Sequence, residues 1–341
     1  PVGGTIYLGM NSTPTPTTEA PPRLIAAFSR GFSTVANHIY LLIFPIALDL
    51  LLWFGPRMRV RDLFQPALDE SVRRLSNMNQ PALREMMPVA QEAWQNALNQ
   101  FNLLSALRSL PVGIPSLLGY RGPLETPFGP ARLVESTSGF GALLLWIALS
   151  LAGLAVGTYF FHLLSRAVET EKTSPAEAAV GWKTLQTLLL VILLLAILMI
   201  IAVPTVLLVT VVSIISPVLS QFVLILISIL ALWLVLPLVF SPHGIFSYKL
   251  DAVRSALLSY KLVRLYLPGT GMFVLIALLI SRGLDNLWLT PPGSSWMLLV
   301  GILGHAFISS GLMMASFIYY RMGMRWMEYS QGNGRTPVVR L

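Results

Sequence analysis

The chain has 341 residues, is 55% hydrophobic and only 11% charged, and carries a formal net charge of +8. A water-soluble domain holds about a quarter charged residues, and here the charge is missing in blocks, with no Asp, Glu, Lys or Arg from Thr184 to Tyr248. That excludes a soluble globular protein. The absence of cysteine excludes disulfides, thiolate metal sites and a cysteine nucleophile.

Residues 1–22 contain "NSTPTPTTEAPP", a Thr/Pro tract that cannot build a core and predicts a disordered tail. The region 23–55 follows. In "RLIAAFSRGFSTV", Leu24, Phe28, Phe32 and Val35 recur at helical spacing with Arg23 and Arg30 off the stripe, which predicts a short helix in the membrane interface. "NHIYLLIFPIALDLLLWFG" then predicts a first span, with Asp49 inside it and Pro45 four residues earlier. Proline leaves the carbonyl of Leu41 without its helical donor.

Residues 56–138 form the one long stretch outside the spans. Phe64, Leu68, Val72 and Leu75 predict one amphipathic helix, and Met87, Ala90, Trp94, Leu98, Phe101 and Leu104 a second. "PVGIPSLLGYRGPLETPFGP" reads as a Pro/Gly-rich connection. About 80 residues make a poor independent core, so these helices are expected to lie on the membrane or cap the bundle. Five further spans are predicted at 139–163, 184–212, 220–240, 270–289 and 296–319, the third long enough to be kinked at Pro204. Ser174, Pro175 and Glu177 have capping-box spacing before that span. Residues 321–341 read as a basic cytoplasmic tail behind a membrane bundle spanning 139–320.

Thirteen Lys and Arg residues, including all four lysines, fall on the side shared by the termini. Short segments on the opposite side carry one, which predicts cytoplasmic termini and an extracytoplasmic 56–138 region. The "RMRVR" cluster just after the first span runs against that rule.

Few residues in the spans could carry chemistry. A lone buried carboxylate is costly, and the depths of Asp49 and Arg282 match, so Asp49, Arg282 and Asp285 are expected to form a buried charge cluster. A proton or cation route, or snorkelling to the interface, are the other readings. His305, between Gly301, Gly304 and Gly311, could pack, relay a proton or ligate a haem or chlorophyll-type pigment axially. No spacing for a metal site occurs. Gly153 with Gly157, and Gly311 with Ala315, predict close helix packing. The segment 245–266 predicts a basic interfacial helix whose Lys249, Arg254, Lys261 and Arg264 meet anionic lipid.

"ALLSYKLVRLYLPG", leading into the fifth span, and the final "ASFIYYRMGMRW" resemble six-helix bacterial proteins related to the membrane domain of glycerophosphodiester phosphodiesterases. The resemblance covers the C-terminal third. It implies six helices with an interfacial helix, and the phosphodiesterase catalytic domain is absent.

The expectation is an all-α polytopic bundle with membrane lipids and other membrane subunits as partners, in a bacterial cytoplasmic membrane, and no nucleic acid. No Walker A loop, GxSxG elbow or carboxylate pair within a span points to an enzyme. An accessory or scaffold subunit is the first functional expectation. A carrier for a lipid-like or other small solute, with Asp49 and Arg282 near its route, is the second.

Overall fold

Pro45 decides how the chain enters the bundle. Its ring collides with the carbonyl four residues back and it has no N–H to donate, so no straight helix runs through it. In the computed structural model, which describes residues 21–76, 81–120, 122–168 and 179–331, the predicted short helix and the predicted first span are accordingly two separate helices. These are α1 (Leu24–Asn37) and α2 (Ile43–Phe54), joined by a 3-10 turn over Ile39–Leu42 and bent by 90°. Pro45 falls in the first turn of α2, where a missing donor is harmless.

α1 is the predicted short amphipathic helix, and one of its faces packs inside the protein. Its Ala27, Gly31 and Val35 are buried against the last helix, α11 (Met297–Gln331). A Cβ at Gly31 would lie 2.7 Å from the amide nitrogen of Ala315, and the Phe32 ring covers Gly311. Phe28 stacks on Phe273 at 4.9 Å between ring centroids. The small residues Gly311 and Ala315 thus do serve close packing, and their partner is α1.

After α2 come β1 (Arg57–Arg59), α3 (Arg61–Ser76) and α4 (Pro81–Gln100), then β2 (Glu125–Thr126), β3 (Gly129–Pro130) and β4 (Leu133–Glu135). β1 pairs in parallel with β4, and β2 with β3 as a hairpin. These strands are too short to leave a periodic signal. They also account for "RMRVR". Arg59 Nε sits 2.9 Å from Glu135 Oε1, and buried Arg57 donates from Nη2 to the Gln100 carbonyl at 3.0 Å. Arg59→Gln is expected to lower stability by about 1 kcal/mol, and adding Glu135→Gln to cost little more; thermal unfolding of the double-mutant cycle checks this.

Among the described residues five helices are long and apolar enough to cross a membrane, or six when the bent α1–α2 pair is counted as one span. α5 (Gly139–Val168) is followed by α6 (Val180–Ile215), which continues through Pro204, and by α7 (Pro217–Val235). Ser216 alone separates α6 from α7; its hydroxyl accepts from the Leu219 amide and Pro217 starts the new helix. The predicted capping box at Ser174–Glu177 lies outside the described residues. α11 runs on to Gln331, so the segment expected to be a tail from 321 is helical for its first half.

The predicted single helix over 245–266 is broken. α8 (Ser241–Tyr248) ends at Lys249, which adopts a left-handed conformation with φ 52°, and α9 (Ala252–Leu265) restarts behind Asp251, whose carboxylate accepts from the Arg254 amide. α9 buries its small face, Ala252, Ser255, Ala256 and Ser259, and exposes Val253 and Leu257. Of the four basic residues expected on lipid, Arg254 pairs with Asp251 at 3.2 Å and Arg264 lies 3.5 Å from the Trp233 ring centroid. Lys249 occupies the break and Lys261 is exposed. α10 (Leu267–Trp288) leads into α11, the core of the bundle, where Met314, Ala315, Phe317, Tyr319 and Tyr320 are buried.

Candidate functional site

Residues 102–122 do not form a cap. After a 3-10 turn over Leu103–Arg108 the chain descends along α5. Leu103 packs with Ala142, the Cα of Leu107 lies where a Cβ on Gly153 would come within 2.7 Å, and the Cα of Gly113 within 2.8 Å of one on Gly157. From the level of Ala142 to that of Gly157 is about 22 Å of helix. The return limb passes α2 at Ser116–Leu118, folds Gly119 against the Arg108 stem and brings Gly122 to the Arg57 guanidinium. This is a hairpin of irregular backbone lying along α5, a helix long and apolar enough to cross a membrane. Gly153 and Gly157 therefore seat irregular backbone and not the neighbouring helix that their spacing suggested.

Irregular backbone survives within a membrane only where protein covers and satisfies it. Two polar side chains do so. At the base, Asn102 Oδ1 accepts from the Met58 and Leu104 amides. Deeper in, Asp49 is fully buried and accepts from Ser116 Oγ at 2.5 Å and from the Leu117 and Leu118 amides, both at 3.0 Å. Three donors converging on one carboxylate suit its acceptor-only, ionised form.

The expected Asp49–Arg282–Asp285 cluster is thereby corrected. Asp285 accepts from His305 Nδ1 at 2.8 Å. The Nε2 of His305 is buried without a hydrogen-bond partner. Arg282 turns away to Tyr120, its Cζ 5.4 Å from that ring centroid. Matching depth along the chain predicted the wrong partner because the return limb of the hairpin, which brings the true donors, does not read as part of the bundle.

The glycines beside His305 are occupied as well. A Cβ at Gly301 would lie 2.5 Å from the Trp288 carbonyl oxygen and one at Gly304 2.7 Å from the Trp288 indole. Phe32 packs on Gly311, so each of the three glycines lies against an aromatic residue. His243, expected in a loop, is buried in α8 with Nε2 2.7 Å from Ser316 Oγ. His162 at the end of α5 lies 2.9 Å from the buried Lys183 amine.

On its other side the hairpin walls a groove of about 700 Å³. One wall is polar, with Asn102, Ser105, Arg108, Ser109 and Tyr120 from the hairpin; the other is apolar, with Trp146, Leu151 and Leu154 of α5 and Leu188, Val191 and Leu195 of α6. A volume of a few hundred Å³ or more, mostly apolar with a few convergent polar groups, is the ordinary form of a ligand site. Arg108, Tyr120 and Ser116 escape a reading by motif. Their one sequence signal is the run of apolar residues inside a Pro/Gly-rich stretch, Val112, Ile114, Leu117 and Leu118, all of them buried. Comparison with protein-family models, characterised proteins and solved structures gives no match.

Proposed function

We propose that the protein is a non-enzymatic carrier or holder of a lipid-like molecule, taken sideways from the bilayer into the groove between the re-entrant hairpin and helices α5 and α6. The observation that carries this reading is the composition of the groove. In this slot an apolar wall supplied by two helices faces a polar wall from the hairpin, which matches an amphiphile and suits neither a small ion nor a sugar. In the proposed topology the termini are cytoplasmic in a bacterial cytoplasmic membrane, and the hairpin enters from the opposite face. Asp49 then acts by position, fixing the hairpin that forms the polar wall.

The test is photo-crosslinking in membranes with a phospholipid carrying a diazirine on its acyl chain. Labelling is expected at Leu151, Leu154 and Leu188. Leu154→Trp, which fills the slot, should reduce it roughly tenfold, the equivalent of about 1.4 kcal/mol. Labelling at Val206 and Leu226, which face lipid, should stay unchanged. Equal labelling of the slot in both proteins would sink the reading.

A second reading, an accessory subunit of a larger assembly, has one observation in its favour. Only 6% of the most apolar stretch of α6, and the same share of the span containing α7, is buried by the rest of the chain. A stoichiometric partner retained in native mass spectrometry and crosslinked to α7 would favour it.

A further inference from the structure

We propose that the amphiphile taken by this groove is an anionic phospholipid and that Arg108, backed by Arg282, is its headgroup site. The inference rests on the lipid-holding reading above and adds the chemistry of the ligand. Arg108 lines the groove beside Ser105 and Ser109. Its Cζ lies 3.7 Å from the Tyr120 ring centroid, and Arg282 approaches the same ring at 5.4 Å. The two guanidinium groups are thus separated by no more than the sum of those distances. Two cations share one phenol ring.

No carboxylate among the described residues forms a salt bridge with either of them. Asp285, one turn from Arg282, bonds to His305, and Asp49 is saturated by its three donors. Glu135 holds Arg59. A third guanidinium stands behind the same end. Arg57 is 1% exposed, donates to the carbonyl of groove-lining Gln100, and leaves Nε and Nη1 buried without partners. Burial and the nearby Arg59 both push its pKa below the usual arginine range. Arg57 from β1, Arg108 from the hairpin and Arg282 from α10 therefore gather positive charge at one end of the groove, with no carboxylate among the described residues in a salt bridge to them.

Such a concentration repels cations, and in a medium of low dielectric constant it is costly until an anion arrives. Guanidinium is also the side chain best matched to a phosphate, through paired N–H donors. An anion on a single hydrophilic molecule would leave the apolar slot unused. A phosphate carried on acyl chains satisfies both ends at once.

The experiment is native mass spectrometry of the full chain, released from nanodiscs holding equal amounts of phosphatidylglycerol and phosphatidylcholine with identical acyl chains. Wild type is expected to retain phosphatidylglycerol about tenfold over phosphatidylcholine. Arg108→Gln and Arg282→Gln should bring the ratio towards one, and Arg108→Lys should recover part of it. If Arg108→Gln does not fold, the exposed Arg282 carries the test through Arg282→Gln. Equal retention of both lipids, with Leu154 still photolabelled, would overturn the headgroup assignment and leave the lipid-holding reading intact. Loss of photolabelling in the slot would remove both. Inorganic phosphate protecting the wild type, but not Arg108→Gln, from thermal unfolding with no lipid retained would assign a soluble anion and overturn the lipid.

Discussion

Asp49→Asn is expected to destabilise the folded protein by about 3 kcal/mol or more, because it places an amide N–H₂ among groups that all donate. Asn retains one acceptor oxygen, enough for Ser116 and Leu118, whose hydrogen bonds both go to Oδ1. It then turns a donor on the Leu117 amide, which uses Oδ2. Asp49→Leu, which strands all three donors, should cost more. The partner assignment is testable in the same series. A double-mutant cycle of Asp49→Asn with Ser116→Ala should show a coupling of about 1 kcal/mol or more, and one with Arg282→Gln less than about 0.5 kcal/mol. Reversible unfolding in mild detergent, or steric trapping in bilayers, would provide the free energies. Strong coupling to Arg282 would restore the ion pair and contradict the geometry described for the hairpin.

Gly153→Val is expected to have the second large effect, expelling the hairpin from its seat. Even the Cβ would meet the Leu107 backbone, with Cα at 2.7 Å, and backbone cannot swing aside as the end of a side chain can. Overpacking of a core costs about 1–3 kcal/mol, and losing the seat adds exposure of unsatisfied peptide groups to lipid. Gly157→Val, against the Gly113 Cα at 2.8 Å, should behave alike. The native chain has no cysteine, so one reporter thiol suffices. Val112 is wholly buried at the hairpin tip. Val112→Cys should resist a polar maleimide in the parent and react at least tenfold faster once Gly153→Val is added. Similar rates in both would mean that the tip is accessible already and the hairpin is not seated on α5.

Much of the bundle was legible because spans are fixed by length and hydropathy, and those two properties sit in contiguous residues. The helices from α5 to α11 overlap their predicted ranges for that reason. α9 was legible in a subtler way. Its small-residue stripe, Ala252, Ser255, Ala256 and Ser259, was visible as a stripe, but which of the two stripes turns inward depends on what it meets. The serines meet the carbonyls of Ser241 and Pro237, and they are the buried face. The site was less legible. Asp49 was conspicuous as a charge out of place, yet its partners are a hydroxyl and two backbone amides, and backbone donors have no signature in a side-chain alphabet. The fate of "PVGIPSLLGYRGP" likewise turned on Gly153 and Gly157, more than thirty residues further along the chain. Pro/Gly richness said that the stretch was irregular and gave no indication of its depth.

The hairpin has a consequence for biogenesis. Its residues are synthesised before α5, so when Ser116, Leu117 and Leu118 emerge, the helix that will seat them does not yet exist. A segment with unpaired peptide groups cannot enter hydrocarbon alone, so it must wait in water or at the headgroups until α5 is inserted. During that interval Asp49 has no donors and α2 is too short to cross a bilayer unaided, at 12 residues against about 20. The first two helices are therefore set last, although they are made first. A ribosome-bound intermediate ending before Gly153 should carry α2 loosely held, and one extended beyond α5 should not.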